Sequence, residues 1–96
     1  MVSKSEILAL LQEHKAELKH RFSVSRIGLF GSYLHGTADE ESDIDVLVEL
    51  AEPTFDHYME LKFFLEDLFR HPVDLVLDET VKPRLKPLIA QEVVYA

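Results

Sequence analysis

The chain contains no cysteine, so neither a disulfide framework nor a thiolate zinc site can hold it together. A reducing compartment, the cytoplasm, is the expected location. Only 3 glycines and 4 prolines occur, against 47% hydrophobic residues, a balance that excludes a disordered chain. No apolar run approaches membrane-spanning length. The N-terminal apolar stretch is broken by Gln12, Glu13 and His14, too early for a signal peptide. Positive charge is scarce too: 10 Lys and Arg face 18 Asp and Glu, for a net charge of −8. Such a surface repels a nucleic-acid backbone, and no cluster of Lys and Arg offsets it, so direct nucleic-acid binding is not expected. It repels free ATP as well, so a nucleotide should arrive with metal ions screening the site. The chain also lacks Gly-x4-Gly-Lys-Ser/Thr, which excludes the Walker-type phosphate loop.

What the chain does have is a pair of aspartates two positions apart. Asp43 and Asp45 open an apolar run of Ile44, Val46, Leu47 and Val48. Strand alternation sends residues 43 and 45 to one side, so both carboxylates converge on a small volume. Like charges that close repel unless a cation lies between them, which points to a Mg²⁺ site. Just upstream, Gly31-Ser32 ends the apolar run 27–30 and lets the backbone approach a phosphate with no Cβ in the way.

The hydrophobic pattern predicts a helix over 3–21, capped by Ser3 with Glu6 at capping-box spacing. Its stripe is Ile7, Leu8, Leu11, Lys15, Leu18 and Phe22. Strands are expected at 27–30, 43–50 and 73–77, one helical turn at 32–36, and a helix from a Thr54 cap to about Phe69. The second strand sorts Asp43, Asp45, Leu47 and Glu49 from Ile44, Val46, Val48 and Leu50; the third sets Asp74 opposite Val73, Leu75 and Leu77. A short helix between Pro83 and Gln91 and an extended piece at 93–95 complete the pattern. The 54–69 helix holds more apolar residues than one stripe needs, and the surplus is compatible with a partner surface or a homo-oligomer contact. Strands separated by helices give one α/β domain over residues 1–96, a small sheet with helices packed on it. The second and third strands must be neighbours if their carboxylates are to meet.

Taken singly, Gly31-Ser32 reads as a common turn, Asp43-x-Asp45 as a solvated strand end and Asp74 as an exposed residue beside Pro72. In combination they carry more. Gly31-Ser32-x3-Gly36, then Asp43-Ile44-Asp45, then Val73-Asp74-Leu75-Val76 resembles the minimal, single-domain (MNT) form of the nucleotidyltransferase superfamily related to DNA polymerase beta. The likeness runs from the N-terminal helix to Glu92-Val93-Val94-Tyr95, and GSYLHGTADEESDIDVLV is its most specific stretch. It implies the polymerase beta-like fold with a small mixed sheet. It also implies two Mg²⁺ ions held by Asp43 and Asp45, with Asp74 as the third carboxylate, and a triphosphate held at Gly31 and Ser32 through a backbone amide and the hydroxyl. Asp74 would then orient or deprotonate the attacking hydroxyl.

The same resemblance implies AMP transfer from ATP to a tyrosine of a HEPN-domain ribonuclease toxin, with this chain as antitoxin of a type VII toxin–antitoxin pair. Two alternatives stay open: a small-molecule nucleotidyltransferase, which usually needs an additional substrate domain, and a non-catalytic antitoxin that neutralises its partner by contact. One departure bears on the nucleotide grip. Many minimal members carry Ala-Arg before the second glycine, where this chain has Leu34-His35-Gly36. His35 replaces that charge only when protonated; otherwise the nucleotide grip is weaker, or another cation such as a Lys or Arg of a partner supplies the charge. His14, His20, His57 and His71 show no ligand spacing and read as surface or helix-end residues. Ser42 is placed to set the entry angle of Asp43, and Tyr95 reads as a packing residue.

Overall fold

The computed structural model describes residues 2–96. Ser3 caps the first helix as its spacing predicts, its hydroxyl accepting the Glu6 amide at 3.2 Å, and α1 runs over Lys4–Glu13. The single expected helix is in fact two. His14 leaves helical geometry (φ −98°, ψ 13°), and α2 follows over Lys15–Phe22. The His14 ring accounts for the break: its Nδ1 bonds to the Leu10 carbonyl at 2.9 Å, and the ring packs edge-on against Phe64. A side chain competing for the carbonyl four residues back bends a helix. Both pieces bury the expected stripe, Ile7 and Leu11 on the first and Leu18 and Phe22 on the second, while Lys15 stays exposed.

Strand β1 spans Val24–Phe30, beginning before the expected Ile27. Its first part hides from a hydrophobicity pattern because Ser25 and Arg26 face solvent and the pairing is irregular between Val24 and Arg26. Then come α3 (Ser32–His35), β2 (Ile44–Leu50) and α4 (Phe55–Phe69). Thr54 caps α4 by accepting the His57 amide at 3.1 Å. Strand β3 (Val73–Leu77), a short 3-10 turn, α5 (Lys86–Glu92) and β4 (Val94–Tyr95) complete the chain.

The sheet order is β3-β2-β1-β4. Strands β2 and β3 are parallel, as a connection through α4 allows, and the other two pairs are antiparallel. This is the mixed sheet expected, with the two aspartate-bearing strands adjacent. One face carries Ile27, Leu29, Ile44, Val46, Val48, Leu50, Val73 and Leu75, packed with Ile7, Leu11, Leu18, Phe22, Leu61, Leu65 and Phe69 into one core. Each large side chain so buried is worth about 1.5–3 kcal/mol. A one-residue slip of β2 would turn the Ile44 series outward, so the core fixes the register. It therefore fixes Asp45 on the opposite face. On α4 the apolar surplus is solvent-facing, with Phe55 76% and Phe63 59% exposed. Among the described residues no helix is long and apolar enough to cross a membrane.

Candidate active site

Register places the acids. Asp45 on β2 and Asp74 on β3 are direct partners across the parallel ladder. Asp43 stands exposed just before β2, and strand alternation gives it the same side as Asp45. The Ile44 amide donates to the Pro72 carbonyl at 3.0 Å, tying the start of β2 to the entry of β3. Ser42 belongs to a turn in which its hydroxyl bonds Asp39 Oδ1 at 3.2 Å and accepts the Asp39 amide at 3.1 Å. That turn fixes the approach to Asp43.

The half-buried Asp45 carboxyl is pushed up to about 6, first by burial, then by the charge of Asp74 and a hydrogen bond with it, then by Asp43 and Glu92. Asp45 and Asp74 form the close pair and Asp43 flanks it. Among the described residues no set of three or more His, Asp or Glu side chains is drawn together into a finished ligand cluster. The donor set is nonetheless all carboxylate oxygen, which suits Mg²⁺. Burial first, and the neighbouring acids after it, disfavour the ionised Asp45, a cost that a bound cation offsets. On both counts these residues fit a divalent metal.

Gly31 closes one side of this spot. Its backbone adopts φ 78°, ψ −153°, a region open only to glycine. A Cβ built there would lie 2.1 Å from Asp45 Oδ2, so any side chain at residue 31 would push the Asp45 carboxylate aside. The Gly31 carbonyl accepts the Leu34 and His35 amides at 3.1 and 3.2 Å, which turns the chain into α3, of which Ser32 is the first residue. Gly31, Asp45 and Asp74 are thus brought together, with Asp43 at the margin, and Ser32 follows Gly31 in sequence.

Two contacts in this region were not legible in the sequence. Glu92, at the end of α5, accepts the Gly31 amide at 2.8 Å and contacts His35 Nε2 at 3.0 Å. His35 is therefore engaged with a carboxylate. His71, read as a helix-end residue, is half-buried and ties three segments: its Nε2 bonds the Ser42 carbonyl and lies 3.2 Å from the Tyr33 hydroxyl. A carbonyl can only accept, so the Nε2 proton points at Ser42. Neither residue has a local signal, because each finds its partners far along the chain. Tyr95 packs under the Arg26 guanidinium, 4.3 Å from its ring centre.

Beside α3, a cleft of about 330 Å³ is lined by Lys4, Tyr33, His35 and Gly36 among others, so a cation of this chain stands near the far end of that helical turn. A larger cavity, about 560 Å³, lies at the other end of β1, where Lys15, Lys19 and Arg26 line it. Neither cavity is lined by Asp43, Asp45 or Asp74.

Comparison with known proteins bears on the family and the fold. Residues 11–96 match the family described as nucleotidyltransferase domain. The chain is 43% identical to protein adenylyltransferase MntA of Thermococcus cleftensis, over 99% of this chain and 97% of that protein. It is similar to a solved minimal nucleotidyltransferase structure, with TM-score 0.76 and 33% identity over 92% of this chain and 93% of that one. A toxin–antitoxin structure with AMP-PNP aligns with TM-score 0.69 and 26% identity, over 88% of this chain and 70% of that one. The chain is a nucleotidyltransferase and belongs to the nucleotidyltransferase-domain family.

Proposed function

We propose that the chain is a Mg²⁺-dependent protein adenylyltransferase that moves AMP from ATP onto a tyrosine hydroxyl of a HEPN-domain ribonuclease toxin, and so serves as its antitoxin. The observation that carries this reading is the in-register pair Asp45 and Asp74, closed on one side by a glycine whose Cβ would strike Asp45. Asp43, Asp45 and Asp74 are the metal ligands in this reading. When bound, two Mg²⁺ ions supply Lewis-acid stabilisation to the attacking oxygen and the departing pyrophosphate. Ser32 contributes its hydroxyl to the triphosphate; the Gly31 amide already serves Glu92, so the phosphate contacts fall to the Ser32 side of the turn. Lys4, at the edge of the neighbouring cleft, is the nearby cation that offsets phosphate charge where the family's arginine is missing.

Asp74 is the more exposed of the close pair, which suits an acceptor arriving from outside. It orients the tyrosine hydroxyl and takes its proton as the oxygen–phosphorus bond forms and the bond to pyrophosphate breaks. The name of the Thermococcus relative and the nucleotide analogue in the toxin–antitoxin structure support a protein acceptor and ATP. The apolar outer face of α4 supports a protein partner as well.

Incubation with labelled ATP, Mg²⁺ and the HEPN partner tests the proposal. AMP mass should appear on the partner, and Asp43→Asn or Asp45→Asn should lower the rate by about 10³-fold or more. Variants that neutralise the partner as well as the parent chain does would show that contact alone is the mechanism. Label on a small hydroxylated compound, with none on protein, would favour the small-molecule reading.

A further inference from the structure

We infer that Glu92 is a positioning residue for the nucleotide turn: its carboxylate holds in place Gly31, whose lack of a side chain leaves room for Asp45. The inference rests on the reading of Gly31 and Ser32 as the phosphate-binding turn. Glu92 takes the Gly31 amide at 2.8 Å and the His35 ring at 3.0 Å through the same oxygen, Oε1. It thereby spans α3 from the residue that precedes it to its last residue. The contact is not free of cost, since Glu92 adds to the negative field that raises Asp45. A carboxylate that only repelled its surroundings would swing into solvent. This one is held by two partners, from a segment 61 residues along the chain.

The sheet delivers it. Strand β4 pairs with β1 through Gly28–Tyr95 and Leu29–Val94, and the Ala96 amide donates to the Ile27 carbonyl at 2.9 Å. A Cβ on Gly28 would lie 2.7 Å from a Val93 methyl and 2.9 Å from the Val94 carbonyl. The bare backbone at residue 28 thus lets β4 sit close enough to aim Glu92 at Gly31. A chain of contacts runs from Gly28 through β4 and Glu92 to the turn, and on to Asp45.

Three variants separate positioning from simple electrostatics. Glu92→Gln keeps the acceptor for the Gly31 amide and removes the charge; Glu92→Ala removes both; Gly28→Ala displaces the strand that carries the residue. Amide exchange of Gly31, read by NMR without nucleotide, should stay slow in Glu92→Gln and rise about ten-fold in Glu92→Ala and Gly28→Ala. Affinity for AMP-PNP with Mg²⁺ should fall about ten-fold in Glu92→Ala and match or exceed the parent in Glu92→Gln. Pure charge repulsion predicts instead that both Glu92 variants bind more tightly than the parent, and that result overturns the inference. So does a Gly31 amide equally protected in Glu92→Ala. Circular dichroism confirms that each variant is folded. A parent chain that binds no nucleotide, with Gly31 exchange still following the expected order, would remove the nucleotide reading and leave Glu92 a structural clamp only.

Discussion

Removing a charge from the candidate active site should make the metal-free protein more stable. Asp45 is half-buried against Asp74, with Asp43 and Glu92 nearby, and its carboxyl is pushed up to about 6. In the unfolded chain an aspartate titrates near about 3.9. The folded state therefore holds the proton more tightly. Between about pH 4 and about pH 6 it carries more bound protons than the unfolded chain, so stability falls as pH rises through that window and is level above it. The full gap corresponds to about 3 kcal/mol as a ceiling. Because Asp45 is partly exposed, solvent screening brings the expected effect to about 1 kcal/mol. Asp45→Asn keeps the shape and has no carboxylate to ionise. Thermal unfolding in EDTA should show the variant melting about 4–8 °C above the parent near neutral pH. The advantage should vanish below about pH 4, where the parent's carboxyl is also neutral. A variant less stable than the parent near neutral pH, or an advantage that does not change with pH, would refute the crowding of acids at this position.

Gly31→Ala should destabilise the fold by about 1–3 kcal/mol from backbone strain alone. Because the new methyl displaces the Asp45 carboxylate, AMP transfer should fall far more than the loss of folded protein explains; denaturant unfolding and transfer rates on one preparation would check both. By contrast, Phe55→Ser with Phe63→Ser removes two side chains that are 76% and 59% exposed. Its midpoint of unfolding should stay within about 0.5 kcal/mol of the parent, while affinity for the HEPN partner, measured by calorimetry, should drop if α4 is the docking face.

Alternation and caps made much of this fold readable. Ser3 and Thr54 announce their helices because a cap acts on amides only three residues away. The adjacency of β2 and β3 followed from electrostatics: separated carboxylates at 45 and 74 have no joint use, whereas paired ones do. Long-range contacts could not be read this way. His14 breaks a helix whose stripe looks continuous, and the cause includes Phe64 on a different helix. Val24–Phe30 begins early because Val24 and Arg26 pair with β2 around an irregularity at Ser25, which apolar content does not announce. Glu92 reads as one acid among many, and nothing near it in sequence names Gly31 as its partner.

Strand β3 lies at the edge of the sheet and has a ladder on one side only, to β2. Its first half faces Asp45 with another acid. Any cation gripped between residues 45 and 74 would fasten this outermost strand to its neighbour, since a ligand that binds the closed form stabilises it by mass action. Opening of the edge and occupancy of the site then become one equilibrium. Protease sensitivity at residues 70–78, where an unpaired edge first frays, would report the free divalent-ion level.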